Sequence, residues 1–181
     1  KAIRVRLNTT ATPELIREIA PDTVVCAVGA EPIIPRIPGV DRENVVKVTQ
    51  LRDPDLKFGE KVVVIGGGLV GCEEGLALAM EGKDVTVLEM QDKLAPDAPI
   101  LHLKAMMLEY EKRTENLHPY TEVTVTSIED DGVHAKDKDG KEVIYPADTV
   151  LLSVGMRSKI DEVEKLRTND AEFITVGDCI K

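Results

Sequence analysis

The sequence predicts an α/β protein built on a parallel strand–turn–helix–strand unit, with a three-stranded antiparallel meander beside it. Three observations predict this. Residues Lys61 to Glu89 read KVVVIGGGLVGCEEGLALAMEGKDVTVLE: a β-branched run, a glycine cluster, an apolar helical stretch and a second β-branched run ending on an acid. Residues 123–145 alternate apolar and polar and are broken by Asp130-Asp131-Gly132 and Asp139-Gly140, both hairpin signals. Aromatic residues are only 3% of the chain and Trp is absent, so the core must be aliphatic, as where helices cover β-branched strands.

The elements follow in order. Ile3, Val5 and Leu7 alternate with Arg4 and Arg6, which predicts a half-buried strand. Thr12-Pro13-Glu14 opens a short helix with Thr12 as N-cap and Leu15, Ile16 and Ile19 as its apolar face, ended by Pro21-Asp22. Thr23–Val28 is a continuous apolar run, expected as a strand buried on both faces, stopping at Gly29. Pro32, Pro35 and Pro38, three apart, predict an extended connection between two lobes. Val45–Val48 is a short apolar patch, followed by a loop or helical turn at 51–57. After the glycines, Leu69, Cys72, Leu76 and Met80 share one helical face, and Gly82 is the expected left-handed cap. QDKLAPDAP reads as a loop. A helix is predicted over Ile100–Arg113, with Leu101, Ala105 and Leu108 inward and Asn116 as left-handed cap. Leu117–Tyr120 is a short strand that Pro119 confines to an edge. The meander strands are 123–128, 133–136 and 143–145. Thr149–Val154 is a fully buried strand ending at Gly155, 161–168 is helical or irregular, and Phe173–Val176 is a last short strand before Gly177-Asp178.

The formal net charge of −10 repels phosphate backbones and argues against a nucleic-acid partner. No apolar run is long enough to cross a membrane. Cys26, Cys72 and Cys179 are odd in number, far apart and in no CxxC pair, which argues against a disulfide framework or zinc site and for a reducing compartment, the cytoplasm. The chain does not begin with Met and opens on a strand-like segment, so it is expected to be a piece of a longer protein.

Gly66-x-Gly68-x-x-Gly71 carries the chemistry. The first glycine permits the tight turn, the second lets backbone approach a pyrophosphate, and the third lets the helix pack on the strand. N–H groups near Leu69 and Val70 then point at the phosphates with the helix dipole behind them. Glu89 ends the next strand, where a carboxylate accepts from a ribose diol and repels a 2′-phosphate; Met90, Gln91 and Asp92 follow it with no Arg. This is a Rossmann-like dinucleotide unit, expected to take NAD(H) in preference to NADP(H). The plain alternative is a ligand-free turn with a solvated acid. Glu73, read as lying in the first helical turn, either complements the dipole or faces the nicotinamide end of the cofactor. Cys72 reads as core. His102, His118 and His134 have no catalytic or metal-ligand spacing and read as surface or edge residues. No side chain is assigned as catalytic and none as a metal ligand.

The phrases VCAVGAEP, EPIIPRIPGV, VVVIGGGLVGCE, VTVLEM, LAPDAP, DTVLLSVGMR and VGDCIK resemble the pyridine nucleotide–disulfide oxidoreductase superfamily, and within it the C-terminal part of the NADH:flavin oxidoreductase / 2,4-dienoyl-CoA reductase / enoate reductase family. The resemblance implies an NAD(H)-binding lobe at 59–155 inserted in a partial FAD-binding lobe, with 1–58 as its earlier part and crossover and 156–181 as its return segment. It implies that Gly29 and Gly155 end strands beside a cofactor and that Asp178 bonds the ribityl chain of FAD. FMN, an iron–sulfur cluster and the substrate site would belong to an N-terminal barrel absent from this chain, which alone is expected to be inactive. The expected reaction is hydride transfer from NADH to FAD, with electrons passed on to the barrel. Two alternatives stand beside it: a structural ADP-binding module without hydride transfer, and an NADH oxidase or disulfide reductase fragment. The final substrate is not legible, and the sequence leaves an oligomer open.

Overall fold

A computed structural model describes residues 3–51, 53–168 and 170–180. In chain order its elements are α1 (Pro13–Ile19), β1 (Thr23–Cys26), β2 (Ala30–Pro32), β3 (Val45–Lys47), β4 (Lys61–Ile65), α2 (Leu69–Met80), β5 (Asp84–Leu88), α3 (Ile100–Glu111), β6 (Leu117–Tyr120), β7 (Thr124–Glu129), β8 (Gly132–Lys136), β9 (Glu142–Tyr145), β10 (Thr149–Leu152), β11 (Met156–Ser158), α4 (Ile160–Leu166) and β12 (Glu172–Thr175), with 3₁₀ turns at Val48–Gln50 and Gly177–Ile180. The chain forms two compact units, Pro32–Gly155 and a second made of Lys1–Glu31 with Met156–Lys181. The crossover from residue 32 to 58 belongs to the larger compact unit, since β3 pairs with β10 and Leu51, Leu56 and Phe58 pack against its core.

The larger unit has three layers. Its centre is a five-stranded, all-parallel sheet in the order β3-β10-β4-β5-β6. Strand alternation splits the side chains between two cores. Val62, Val64, Val85, Val87 and Leu151 meet α2 and α3 on one face, while Val63, Ile65, Leu88, Val150 and Leu152 meet the meander on the other. The meander is antiparallel, β7-β8-β9, as its turn residues predict. Pro119 sits in β6, the edge strand, where its missing N–H costs no ladder bond.

The face predicted for α2 is borne out at Cys72, which is buried, and at Leu69 and Leu76, which pack against the core, but not at Met80; α3 turns a different face inward from the predicted one. On α2 the buried residues are Gly71, Cys72, Gly75, Leu78 and Ala79, and Met80 is exposed. Small residues let the helix lie close to the sheet; a Cβ at Gly75 would come within 2.9 Å of the Val87 side chain. On α3, Met106 and Tyr110 are buried, with Leu103 and Met107 packed beside them, while Leu101, Ala105 and Leu108 face out. That helix ends at Glu111. Asn116 is not left-handed; its side-chain amide donates to the carbonyls of Ala79 and Lys83, both at 2.9 Å. It thereby finishes the end of α2, where Gly82 (φ +91°) closes a Schellman motif: Lys83 N–H bonds Leu78 O and Gly82 N–H bonds Ala79 O.

In the smaller unit, Thr12 caps α1 by accepting from the Leu15 N–H at 3.2 Å. β1 pairs with β12 in parallel, and β2 with β11, where Arg157 and Glu31 form an ion pair. Cys26, Val163 and Cys179 form its small core. The expectation that 23–28 is buried on both faces is corrected here: β1 spans only 23–26 and Val25 is 62% exposed, because a two-stranded sheet offers one covered face. Ile3–Leu7 is no strand either. It has no ladder partner among the described residues, and Ile3, Val5 and Leu7 are exposed. Alternation marks strand potential, but the backbone groups need a neighbour to pair with. No helix among the described residues is long and apolar enough to cross a membrane.

Candidate functional site

The candidate site gathers at the C-terminal ends of the parallel strands in the larger unit. β4 stops at Ile65 and the chain turns through Gly66 with φ +107°, a conformation a side chain would strain. A Cβ there would also run into the carbonyl of Ser153, at the end of β10. The Gly66 N–H bonds Leu88 O at 2.9 Å, tying the turn to β5. Gly71 lies against the Gly66 carbonyl oxygen, so any side chain at 71 would push α2 off the turn. Gly68 differs from both. It is the N-cap of α2, in ordinary extended backbone, and a Cβ built on it meets nothing within 4 Å. Beside this open face are the N–H groups of Leu69, Val70 and Gly71, which helical geometry leaves without intrahelical partners. No side chain caps them: the N-cap is a glycine and the first turn holds no acid. Glu73 is therefore not in the first turn but opens the second.

Glu89 is only 8% exposed, and its carboxylate joins two segments. Oε2 accepts from the Gly67 N–H at 2.7 Å and Oε1 from the Gln91 N–H at 2.8 Å. Its backbone N–H bonds Tyr120 O, and its carbonyl accepts from Val123 N–H, each at 2.9 Å. The loop after β5 returns to the turn as well: Ala95 N–H bonds Gly67 O at 2.8 Å, and Leu94 lies over Gly67. The acid and the glycine turn thus form one hydrogen-bonded assembly. Met90, next to Glu89, is exposed.

Cys72 is core, as expected. It is buried, its thiol donates to Gly67 O at 3.2 Å, and burial pushes its pKa up to about 11. Tyr110 reaches across from α3 to donate to Cys72 O at 2.9 Å, and burial raises its phenol above the ordinary range.

The three histidines lie at the surface or on the edge strand, as the sequence predicts, and each is paired with a carboxylate. Glu73 on α2 meets His102 on α3 at 2.9 Å, His118 meets Asp84 at 3.1 Å, and His134 meets Asp131 at 2.8 Å. Glu129, Asp131 and His134 lie within 4.8 Å of one another on the meander surface, an exposed ion-pair cluster whose members bond to each other.

The remaining candidates lie at equivalent heights on their own strands. Gly155 (φ +106°) follows β10 by three residues, and its carbonyl accepts from Ile33 N–H at 3.0 Å. In the smaller unit, Cys26 pairs with Thr175, so Gly29 and Asp178, each three residues further on, share one edge of the β1–β12 pair. Gly29 has φ +74° with open space at its Cβ position, and Asp178 is in the exposed 3₁₀ turn.

Sequence reasoning missed the role of Gly67, the middle of three glycines, whose N–H holds Glu89. It also missed Tyr120 beside Glu89 and His102 beside Glu73. Only the glycine cluster itself hinted at the first.

The family model for pyridine nucleotide-disulphide oxidoreductase matches residues 4–179. An NADH oxidase of Thermoanaerobacter brockii is 36% identical over 98% of this chain and 28% of its own length. A cinnamate reductase of Clostridium sporogenes is 32% identical over 99% of this chain and 27% of its own. Among solved structures, a 2-naphthoyl-CoA reductase complex superposes with a TM-score of 0.89 and 35% identity, covering 98% of this chain and 27% of that one. The chain therefore spans a little over a quarter of the length of these relatives.

Proposed function

The chain belongs to the pyridine nucleotide-disulphide oxidoreductase family, and we propose that its larger unit is the NADH dock of a longer flavin-dependent oxidoreductase. One observation carries the proposal: an open, glycine-capped helix N-terminus lies one hydrogen bond from a buried acid. The residues fit a dinucleotide. Gly66 and Gly71 hold the turn tight, the open face at Gly68 admits a pyrophosphate, and the N–H groups of Leu69, Val70 and Gly71 donate to it. Each carboxylate oxygen has two acceptor positions, and Glu89 uses one on each for Gly67 and Gln91. The other two are left for a ribose diol. A 2′-phosphate would bring negative charge against that acid, with Met90, Gln91 and Asp92 offering no cation. This supports NADH over NADPH, as does the name of the Thermoanaerobacter relative.

The Gly66–Gly71 turn and Glu89 would hold NADH, which when bound would supply hydride-donor chemistry toward a flavin. The chain's own work is to hold and orient it, and no side chain of this lobe is assigned as acid or base. Glu73, on the second turn of α2, is the candidate for the nicotinamide end, held by His102. Gly29 and Asp178 in the smaller unit, and Gly155 in the larger, are each candidates toward FAD, and none of them belongs to a GxGxxG turn. FMN, an iron–sulfur cluster and the reductase site would lie outside these 181 residues. The relatives named cinnamate reductase and 2-naphthoyl-CoA reductase support a protein of the enoate or dienoyl-CoA reductase kind.

A second reading has its own support, since every residue placed around the glycine turn and Glu89 would touch the ADP half of the ligand. That half alone defines a structural nucleotide module. Titrating NADH, NADPH and ADP into the chain separates the two. Saturable NADH binding that is tighter than ADP and NADPH binding is expected; tight ADP binding with no gain for NADH would overturn the hydride-donor reading.

A further inference from the structure

We infer that Tyr120 is the platform on which the adenine of the dinucleotide stacks. This rests on the dinucleotide reading above and adds to it a base-contacting residue. In such a ligand the pyrophosphate, ribose and base follow one another covalently, so three successive contacts mark a direction. The pyrophosphate donors are at the N-terminus of α2, directly after β4, and the ribose acid is at the end of β5. Strand order continues β4-β5-β6, so the next step in the same direction reaches the end of β6. Tyr120 is the last residue of β6. It pairs in register with Leu88, and its carbonyl accepts from the Glu89 N–H, so its backbone lies directly beside that of the ribose acid at the strand ends.

The ring is available and braced. Tyr120 is 44% exposed and contacts the Tyr145 ring of β9 with centroids 5.2 Å apart and planes tilted by 53°. A tilted aromatic pair is a favourable, orienting contact, so ordering the ring on binding costs less than for an isolated tyrosine. The other aromatic residues do not compete for this place. Tyr110 is buried under α3, Phe58 packs on the α2 side of the sheet, and Phe173 belongs to the smaller unit. Stacking on an aromatic face suits adenine without needing a charge, which an acidic chain has little of to spare.

The test uses the two halves of the ligand. ADP-ribose reports the adenine half and reduced nicotinamide mononucleotide the other, and both are titrated calorimetrically alongside NADH into wild type, Tyr120→Phe and Tyr120→Leu. The expected result is that Tyr120→Leu weakens ADP-ribose and NADH by about tenfold, the scale of one base–aromatic stack. Tyr120→Phe keeps wild-type affinity, and the mononucleotide is unaffected in both. Equal affinity of wild type and Tyr120→Leu for ADP-ribose would overturn the inference while leaving the dinucleotide reading intact. Failure of the wild-type chain to bind either NADH or ADP-ribose would sink that reading itself. Should Tyr120→Leu not fold, wild type saturated with ADP-ribose answers the question by NMR: a nuclear Overhauser effect between the Tyr120 ring and adenine H2 or H8 is expected, and its absence overturns the assignment.

Discussion

The amide of Gly67 donates to the carboxylate of Glu89 across 2.7 Å, joining residues 22 positions apart. One carboxylate thus holds the glycine turn in shape and, on the proposed reading, would offer its remaining acceptor positions to a ligand. Glu89→Gln separates these roles poorly, since its amide N–H₂ must face either Gly67 or Gln91 N–H. It should cost about 1–3 kcal/mol of stability, the range for a buried donor left unsatisfied, as well as NADH affinity. Urea unfolding with parallel NADH titration checks both; unchanged stability would mean the pin contributes nothing.

The glycines of the turn should respond in opposite ways. Gly71→Ala drives a methyl into the Gly66 carbonyl and should destabilise the chain by about 1–3 kcal/mol. Gly68→Ala meets open space in ordinary backbone, so stability should change by less than about 0.5 kcal/mol, while NADH affinity falls as the methyl occupies the approach path. Thermal melts and titrations of the two variants give the comparison, and equal losses in both assays would contradict it.

Asn116→Ala removes two bonds to the carbonyls that end α2. At about 1 kcal/mol per net hydrogen bond, the expected loss is about 2 kcal/mol. Asn116→Asp should fare no better, since a carboxylate cannot donate to a carbonyl. Chemical denaturation of the pair of variants is the measurement.

The His134–Asp131 pair should show opposite titrations. The hydrogen bond that the imidazole donates to Asp131, with further support from the charges of Glu129, Asp131 and Glu142, raises the imidazole above its ordinary 6.5, and the same bond holds Asp131 below its ordinary 3.8. A raised base stabilises below its unfolded value and loses that contribution as pH rises through its folded value. A depressed acid stabilises above its unfolded value and loses it as pH falls through its folded one. Both contributions are therefore complete between the two ordinary values and fade outside them. NMR titration of the His134 ring, in wild type and Asp131→Asn, should show the raised midpoint return toward 6.5 in the variant.

All three thiols should be silent in the native chain. Cys26, Cys72 and Cys179 are buried, and Cys72 is pushed up to about 11 by that burial. A chromogenic disulfide reagent should detect essentially none until denaturant is added, then all three. Rapid native labelling at Cys72 would mean that α2 opens locally.

What could be read from the sequence was what the chain settles locally. The turn at 66–71, the hairpins at Gly132 and Gly140 and the cap at Thr12 depend on neighbours a few residues away, and their patterns are explicit. The inward face of α3, and that of the C-terminal end of α2, were not legible. Apolar residues ring both helices, and the choice between Leu101 and Met106, or Met80 and Gly75, depends on which side must lie close to the sheet. The partners of His102 and His118 lie on other elements, so no spacing rule reaches them, while that of His134 is three positions away across a hairpin turn. At Ile3–Leu7 and Val25 the pattern is present while the neighbour that would bury it is not among the described residues.

The central sheet also sets the order in which the dock can come into being. β10 lies between β3 and β4, and its neighbour bond from Lys61 N–H to Asp148 closes a loop of 87 positions. The Gly66 turn leans on Ser153 from that same late strand. A chain emerging from the ribosome therefore makes β4, α2 and β5 long before the turn between them has its backing. Long-range closure of this kind slows folding, and on the proposed reading nucleotide affinity should appear only after β10 has been made and paired.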